Sequence, residues 1–220
     1  LYGEGPENSV ILLDSITAPT VQYVAQYTDD AQNATPTNPI TNIHISNMQF
    51  QNNGTTTDVF LVEDATNCRF QNCGFYGPLT LADLTTEGDF TMGAAFESTT
   101  SLICDQITFD GCIFSGTDYG SSIDQQTKGV TFTNSKFFTL YSGILLGTGV
   151  VVNGGPTGTR ITGNLFDNIY AEGIVFGTFV SLNATGQNIF YNVGNHFQGA
   201  GYPATSIINI QNGNNVSVSD

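Results

Sequence analysis

The sequence predicts an all-β chain wound as a right-handed, single-stranded parallel β-helix of about seven to eight coils. Three observations carry this. One template recurs along the chain: an apolar residue, then Asn or Gly, then Phe three residues later. Apolar residues alternate with period two rather than 3.6, the periodicity of strands. Only 10% of the 220 residues are charged, while 16 Phe, 9 Tyr and many Ile and Val are spread along the whole length. A composition rich in Asn, Thr, Gly and Ser would favour disorder without that apolar content. With it, the chain is an ordered, strand-rich domain.

In chain order, residues 1–42 read as an entry coil and a long connection. Gly3 and Gly5 shape turns and Val10 to Leu13 supply an early strand. The coils occupy 43–220. The template appears as Ile43-x-Ile45-x-Asn47-x-x-Phe50, as Phe70-x-Asn72-Cys73-Gly74-Phe75, and as Phe109-x-Gly111-Cys112-Ile113-Phe114. It returns as Phe132-x-Asn134-Ser135-Lys136-Phe137, as Ile161-x-Gly163-Asn164-Leu165-Phe166, and as Asn192-x-Gly194-Asn195-His196-Phe197. Ile208-x-Ile210-x-Asn212 reads as the start of a seventh. A second strand follows each Phe, as in Val59–Val62, Ser122-Ile123, 143–147 and 173–177. Residues 76–106 are the longest insertion, with Asp83, Glu87, Asp89 and Glu97.

In such a coil, equivalent residues stack at about 4.8 Å. The Phe positions then fill the interior. The Asn/Gly positions sit at a bend, where a positive φ is tolerated. Parallel crossovers are right-handed in about 98% of cases. A β-sandwich with coincidental Phe spacing is the competing architecture. The chain reads as one domain, 1–220, belonging to a longer protein, because Val216-x-Val218 still alternates at the last residues and no terminal cap is evident.

Four Lys and Arg against 19 Asp and Glu give a formal net charge of −15. Such a surface repels phosphate backbones and anionic lipid, so neither nucleic acid nor membrane is an expected partner. No apolar run approaches the ~18 residues of a membrane span. Cys68, Cys73, Cys104 and Cys112 match no zinc spacing and read as free, buried thiols. No cofactor or metal is expected.

The opening Leu1-x-Gly3-x-Gly5-x-x-x-Ser9-x-Ile11-x-Leu13, with Ile43-x-Ile45-x-Asn47-Met48-x-Phe50-x-Asn52 and Asn72-Cys73-x-Phe75, resembles the pectin-lyase-like right-handed β-helix superfamily. The resemblance is to phage tailspike and tail-appendage β-helices and covers nearly the whole chain. It implies a virion tail protein, a homotrimer, that binds bacterial surface polysaccharide, with depolymerisation left open. A non-catalytic adhesive module and a secreted polysaccharide hydrolase or lyase are the alternatives, since this fold hosts all three. The family's polygalacturonase signatures are not met. There is no Asn-Thr-Asp or Gly-His-Gly, and Asp29-Asp30 precedes the first clear repeat. Arg69, Lys128, Lys136 and Arg160 lie in no pectate-lyase motif.

Site residues are therefore sought on the solenoid itself. Tyr119 and Tyr170 each lie four residues before a stacked Ile, with Leu140 in that place between them; tyrosine rings are apolar platforms with a polar tip, suited to sugars. Asp124 and Glu172 are the candidate catalytic pair. Two coil steps separate them by about 10 Å, nearer the inverting than the retaining spacing. Leu145 and Val175 alternate outward, stacked beside Asp124, and imply a cover: further copies of the chain or a loop of its own.

Overall fold

A computed structural model describes residues 10–13, 25–27, 40–53, 58–63, 65–80, 82–85, 91–97, 104–123, 127–147, 156–181, 184–194, 207–214 and 216–219. They form a parallel β-helix with three sheets, every pairing parallel. Sheet one contains Ile40–Thr41 and His44–Ser46, then Ala65–Gln71, Asp105–Asp110, Thr131–Thr133, Arg160–Thr162, Ala184–Gly186 and Ser217–Ser219. Sheet two contains Val10–Leu13, Gln49–Asn52, Gly74–Tyr76, Ile113–Ser115, Lys136–Leu140, Leu165–Ile169 and Ile189–Val193. Sheet three contains Ala25–Tyr27, Phe60–Glu63, Met92–Glu97, Tyr119–Ile123, Ser142–Leu146, Ile174–Ser181 and Ile208–Asn214. Each coil runs through the sheets in that order.

The interior is built from two interlocked phenylalanine columns. On sheet two, Phe50, Phe75, Phe114, Phe137, Phe166 and Phe190 stack face to face, with centroids 4.7–5.4 Å apart and planes within 5–14°. On sheet one, Phe70, Phe109 and Phe132 stack at 4.6 and 5.1 Å. The columns meet edge to face, as at Phe109–Phe114 (5.6 Å, 62°). Each such pair adds about 0.5–1.5 kcal/mol beyond burial of the rings. Further along sheet one the column continues through Ile161, Thr185 and Val218. On sheet three Ile144, Leu146, Ile174 and Phe176 are the inward, fully buried residues, as the alternation requires.

The bend between sheets one and two falls at Asn47, Asn72, Gly111, Asn134, Gly163 and Gln187, all left-handed at φ 51–68°. Asparagine adopts this conformation at low cost and glycine at none. The bend side chains also bond along the stack: Asn72 Nδ2 donates to Asn47 Oδ1 at 3.4 Å, and Asn134 Nδ2 to Asp110 Oδ1 at 3.2 Å.

Two repeats are placed differently from the sequence expectation. The sixth bend is Gln187-Asn188, followed by Phe190; Gly194 instead pairs by its N–H with the Ile169 carbonyl, at the next corner. Gln replaces Asn at the bend, so the motif slid to the next Asn/Gly-rich stretch. Ile208 and Ile210 belong to sheet three, and the sheet-one strand of the seventh coil is Ser217–Ser219. Part of the 76–106 insertion is also regular structure: Met92–Glu97 pairs with both Phe60–Glu63 and Tyr119–Ile123. In that stretch Thr80 donates to Asp83 from its backbone N–H and its hydroxyl, which holds the Asp83 carboxyl below its usual range. Glu87 and Asp89 lie outside the described residues, as do the side chain of Glu97 and His196.

Sheet three contains a glycine column that the Phe template hides. A Cβ on Gly93 would lie 3.1 Å from the Phe114 ring, on Gly120 2.6 Å from Phe137, on Gly143 2.7 Å from Phe166, and on Gly173 2.6 Å from Phe190. Each glycine therefore makes room for one ring of the sheet-two column. A Gly143 side chain would also collide with the Gly173 carbonyl oxygen.

All four cysteines are free and buried. Cys73 and Cys112 stack in adjacent coils. Burial pushes the Cys112 thiol well above its ordinary value of 9.0, whereas a hydrogen bond from Cys112 lowers Cys73.

Two predictions follow from this packing. Gly143→Ala should destabilise the chain by about 1–3 kcal/mol, the range for overpacking, read from the urea midpoint; an unchanged midpoint would contradict the close approach. Buried thiols are inert, so the native protein should show no reaction with a thiol reagent on the timescale on which the denatured chain titrates four. Rapid native labelling would contradict the inward placement.

Candidate functional site

The corner entering sheet three brings together part of the sequence-predicted set. Tyr119, Tyr141 and Tyr170 form an aromatic column, with centroids 6.4 Å apart edge to face and then 5.7 Å apart stacked. The middle member is Tyr141, not Leu140, which points into the core opposite Ile169. Ile123 pairs with Leu146 rather than Ile144, so counting four residues back from Ile144 does not find the residue that meets the Tyr119 ring. Tyr119 is 4% exposed and Tyr170 9%. Their rings are spent on the column and do not form an open platform.

Beside them Glu172 is half-buried. Ser142 Oγ donates to its Oε2 at 3.3 Å and Asn209 Nδ2 to its Oε1 at 3.5 Å. Asp118, next to Tyr119, is buried and accepts from the backbone N–H and the hydroxyl of Thr91, both at 3.0 Å. That carboxylate ties neighbouring coils together.

Asp124 lies outside the described residues. The register still separates its neighbourhood from Glu172. Tyr119 pairs with Ser142, which bonds Glu172, whereas Ile123 pairs with Leu146 at the other end of the strand. Ile123 is thus four residues, about 13 Å, along the strand from the Glu172 row and two coils, about 10 Å, away from it. The pair expected to stack is offset along the sheet, because Ile123 shares its row with Leu146 and Phe176 while Ile174 stacks on Ile144.

The outward row of sheet three is Leu61, Ala95, Ser122, Leu145 and Val175. Leu145 stacks on Ser122 rather than beside Asp124. Leu61, Ala95 and Val175 are buried within the single chain, so the chain covers much of this stripe itself.

A second row lies on the outer face of sheet two: Gln51, Tyr76, Ser115, Phe138, Asp167 and Tyr191, in continuous register. Tyr76 folds its ring back over Gly74, where any Cβ would collide with it. Phe138 is half-buried and Tyr191 is 62% exposed. Between these two, Asp167 has one carboxylate oxygen, Oδ1, buried without a hydrogen-bond partner. An unsatisfied buried acceptor costs about 1–3 kcal/mol, and Asp167 Oδ1 carries that cost beneath the row. None of these residues is among the sequence-predicted site. Their signature is simple: each is the residue immediately after a column phenylalanine.

Among the described residues no group of three or more His, Cys, Asp or Glu is placed to hold a metal ion. No helix among them is long and apolar enough to cross a membrane. Arg69 is paired with Asp110 at 2.9 Å on the surface. No protein-family model, curated protein or solved structure matches the chain.

Proposed function

We propose that the chain is a glycan-binding β-helix of phage-tailspike type, which attaches a virion tail to bacterial surface polysaccharide through the outer face of sheet two. The observation that carries this reading is the row Tyr76, Phe138, Asp167 and Tyr191. The exposed Tyr191 ring, with the half-buried Phe138 and Tyr76 in its register, suits the apolar face of a sugar. With a net charge of −15, a neutral polysaccharide is favoured over an acidic one. The homotrimer belongs to the same reading. Its support is the resemblance to tailspikes, since the outward stripe of sheet three is largely covered by the chain itself.

Depolymerisation is the second reading. Glu172 favours it, as a half-buried carboxylate held by two donors in the aromatic corner. Asp118, buried and bonded to Thr91, is a tie between coils instead.

The chain has no Trp, so its intrinsic emission comes from its nine tyrosines, Tyr191 among them, and the Tyr191→Ala variant identifies the Tyr191 share of any change. Titration with neutral O-antigen polysaccharide should perturb that emission saturably. Tyr191→Ala and Phe138→Ala should each weaken binding about tenfold, which corresponds to ~1.4 kcal/mol. Tyr119→Phe and Tyr170→Phe should leave it unchanged. Equal affinity in all four variants would remove sheet two as the site. Reducing ends released by the wild-type chain and lost in Glu172→Gln would establish the second reading; release that persists in the variant would exclude Glu172.

A further inference from the structure

The residue just after each left-handed bend is Met48, Cys73, Cys112, Ser135, Asn164 or Asn188. These six form one column on the inner side of the bend. The residue following each donates its N–H to the equivalent carbonyl of the coil before, as Ile113 does to Cys73 and Lys136 to Cys112, both at 2.8 Å. The polar side chains of the column lean toward that preceding coil. Ser135 Oγ accepts from the Cys112 N–H at 3.0 Å, and Asn164 Oδ1 accepts from the Ser135 N–H at 2.9 Å. In the two coils before, sulfur stands where oxygen would. Cys112 Sγ leans the same way: it donates to the Phe70 carbonyl at 3.5 Å and hydrogen-bonds the Cys73 backbone. Cys73 Sγ donates to the Ile45 carbonyl at 3.6 Å. Both cysteines are buried.

We infer that Cys73 and Cys112 are a covalent modification site, which a low-molecular-weight disulfide converts to an intrachain disulfide between adjacent coils. The column sets their Cα atoms one coil step apart, about 4.8 Å, inside the ~4.4–6.8 Å that a disulfide spans. Cys112 Sγ already lies against the Cys73 coil. The bond closes when Cys73 swings from the Ile45 carbonyl toward it, a change of one χ1 rotamer. Cys68, by contrast, stacks on Ile107 and not on a cysteine. The exchange balances. A Cys73 thiolate attacks one sulfur of the soluble disulfide, and one soluble thiol leaves. Cys112 then attacks the Cys73 sulfur of the mixed disulfide, and the second soluble thiol leaves. Two protein thiols are oxidised, one soluble disulfide is reduced, and the two protons pass to the departing thiolates. The hydrogen bond from Cys112 favours the Cys73 thiolate, so Cys73 attacks first. Because both sulfurs are buried, exchange takes place as the chain folds or when the bend opens locally. The two cysteines are 39 positions apart and enclose the 76–106 insertion. The bond therefore ties together the coils on either side of the longest connection, where a cross-link removes most freedom from the unfolded chain. The inference is independent of glycan binding, since the sulfurs face the interior.

The test starts from the reduced chain, unfolded in urea and refolded in a mixture of reduced and oxidised glutathione, beside a control refolded in reductant. Thiol titration of the oxidised product under denaturing conditions should find two thiols rather than four. Proteolytic mapping should join Cys73 to Cys112. The urea midpoint should lie about 1–2 M above that of the control. Cys112→Ser, which copies Ser135 of the next coil, should fold and lose both the linkage and the shift. Cys68→Ala should keep both. Four thiols after refolding, glutathione retained as a mixed disulfide, a linkage through Cys68 or Cys104, or a midpoint no higher than the control would each overturn the inference.

Discussion

The repeat distance between coils, about 4.8 Å, is the constraint on which the rest of this molecule depends. In a parallel coil every side chain lies above and below the equivalent side chain of its neighbours, so each position must tolerate contact with its own kind. Phenylalanine meets this by offset stacking at 4.7–5.4 Å on sheet two. Asparagine meets it by bonding to the next asparagine. Glycine meets it by leaving room, as at Gly143 between Phe166 and the Gly173 carbonyl. Charge does not meet it, because like charges would stack. That accounts for a chain with only 10% charged residues, and for Asp118 being buried only where Thr91 supplies both donors.

The same rule acts on the outer faces. A row facing solvent is also a column, so side chains of successive coils line up along it. On sheet two that produces Tyr76, Phe138 and Tyr191 in one register, with the unsatisfied Asp167 between the last two. On sheet three it produces an apolar row that the chain itself largely covers.

The fold was legible because its strongest signals are periodic and local. The Phe template and the Asn/Gly bend each recur, and five of the six bends were placed at the correct residue. The sixth was missed because Gln187 took the left-handed position normally held by Asn or Gly. The site was less legible for a different reason. Spacing along the chain shows which residues share a coil, but the register between coils decides which share a row. One residue of uncertainty moved the middle of the tyrosine column from Leu140 to Tyr141. Aligning Ile123 with Ile174, when it shares a row with Leu146 and Phe176, set Asp124 beside a row to which its neighbours do not belong. Burial was hidden as well: Tyr119 and Tyr170 look like platforms in the sequence and are enclosed in the fold.

Register is therefore the quantity to measure. Gln49, Lys136 and Ile189 lie in one outward column of sheet two, Lys136 three steps and Ile189 five steps from Gln49. Spin labels at these sites, with the buried native thiols left unlabelled, should give backbone separations of about 14 Å for the 49–136 pair and about 24 Å for the 49–189 pair at ~4.8 Å per step. Distances that grow in this ratio of three to five establish the stacked coil. Distances that do not scale with the number of coils, as in a β-sandwich, would contradict it.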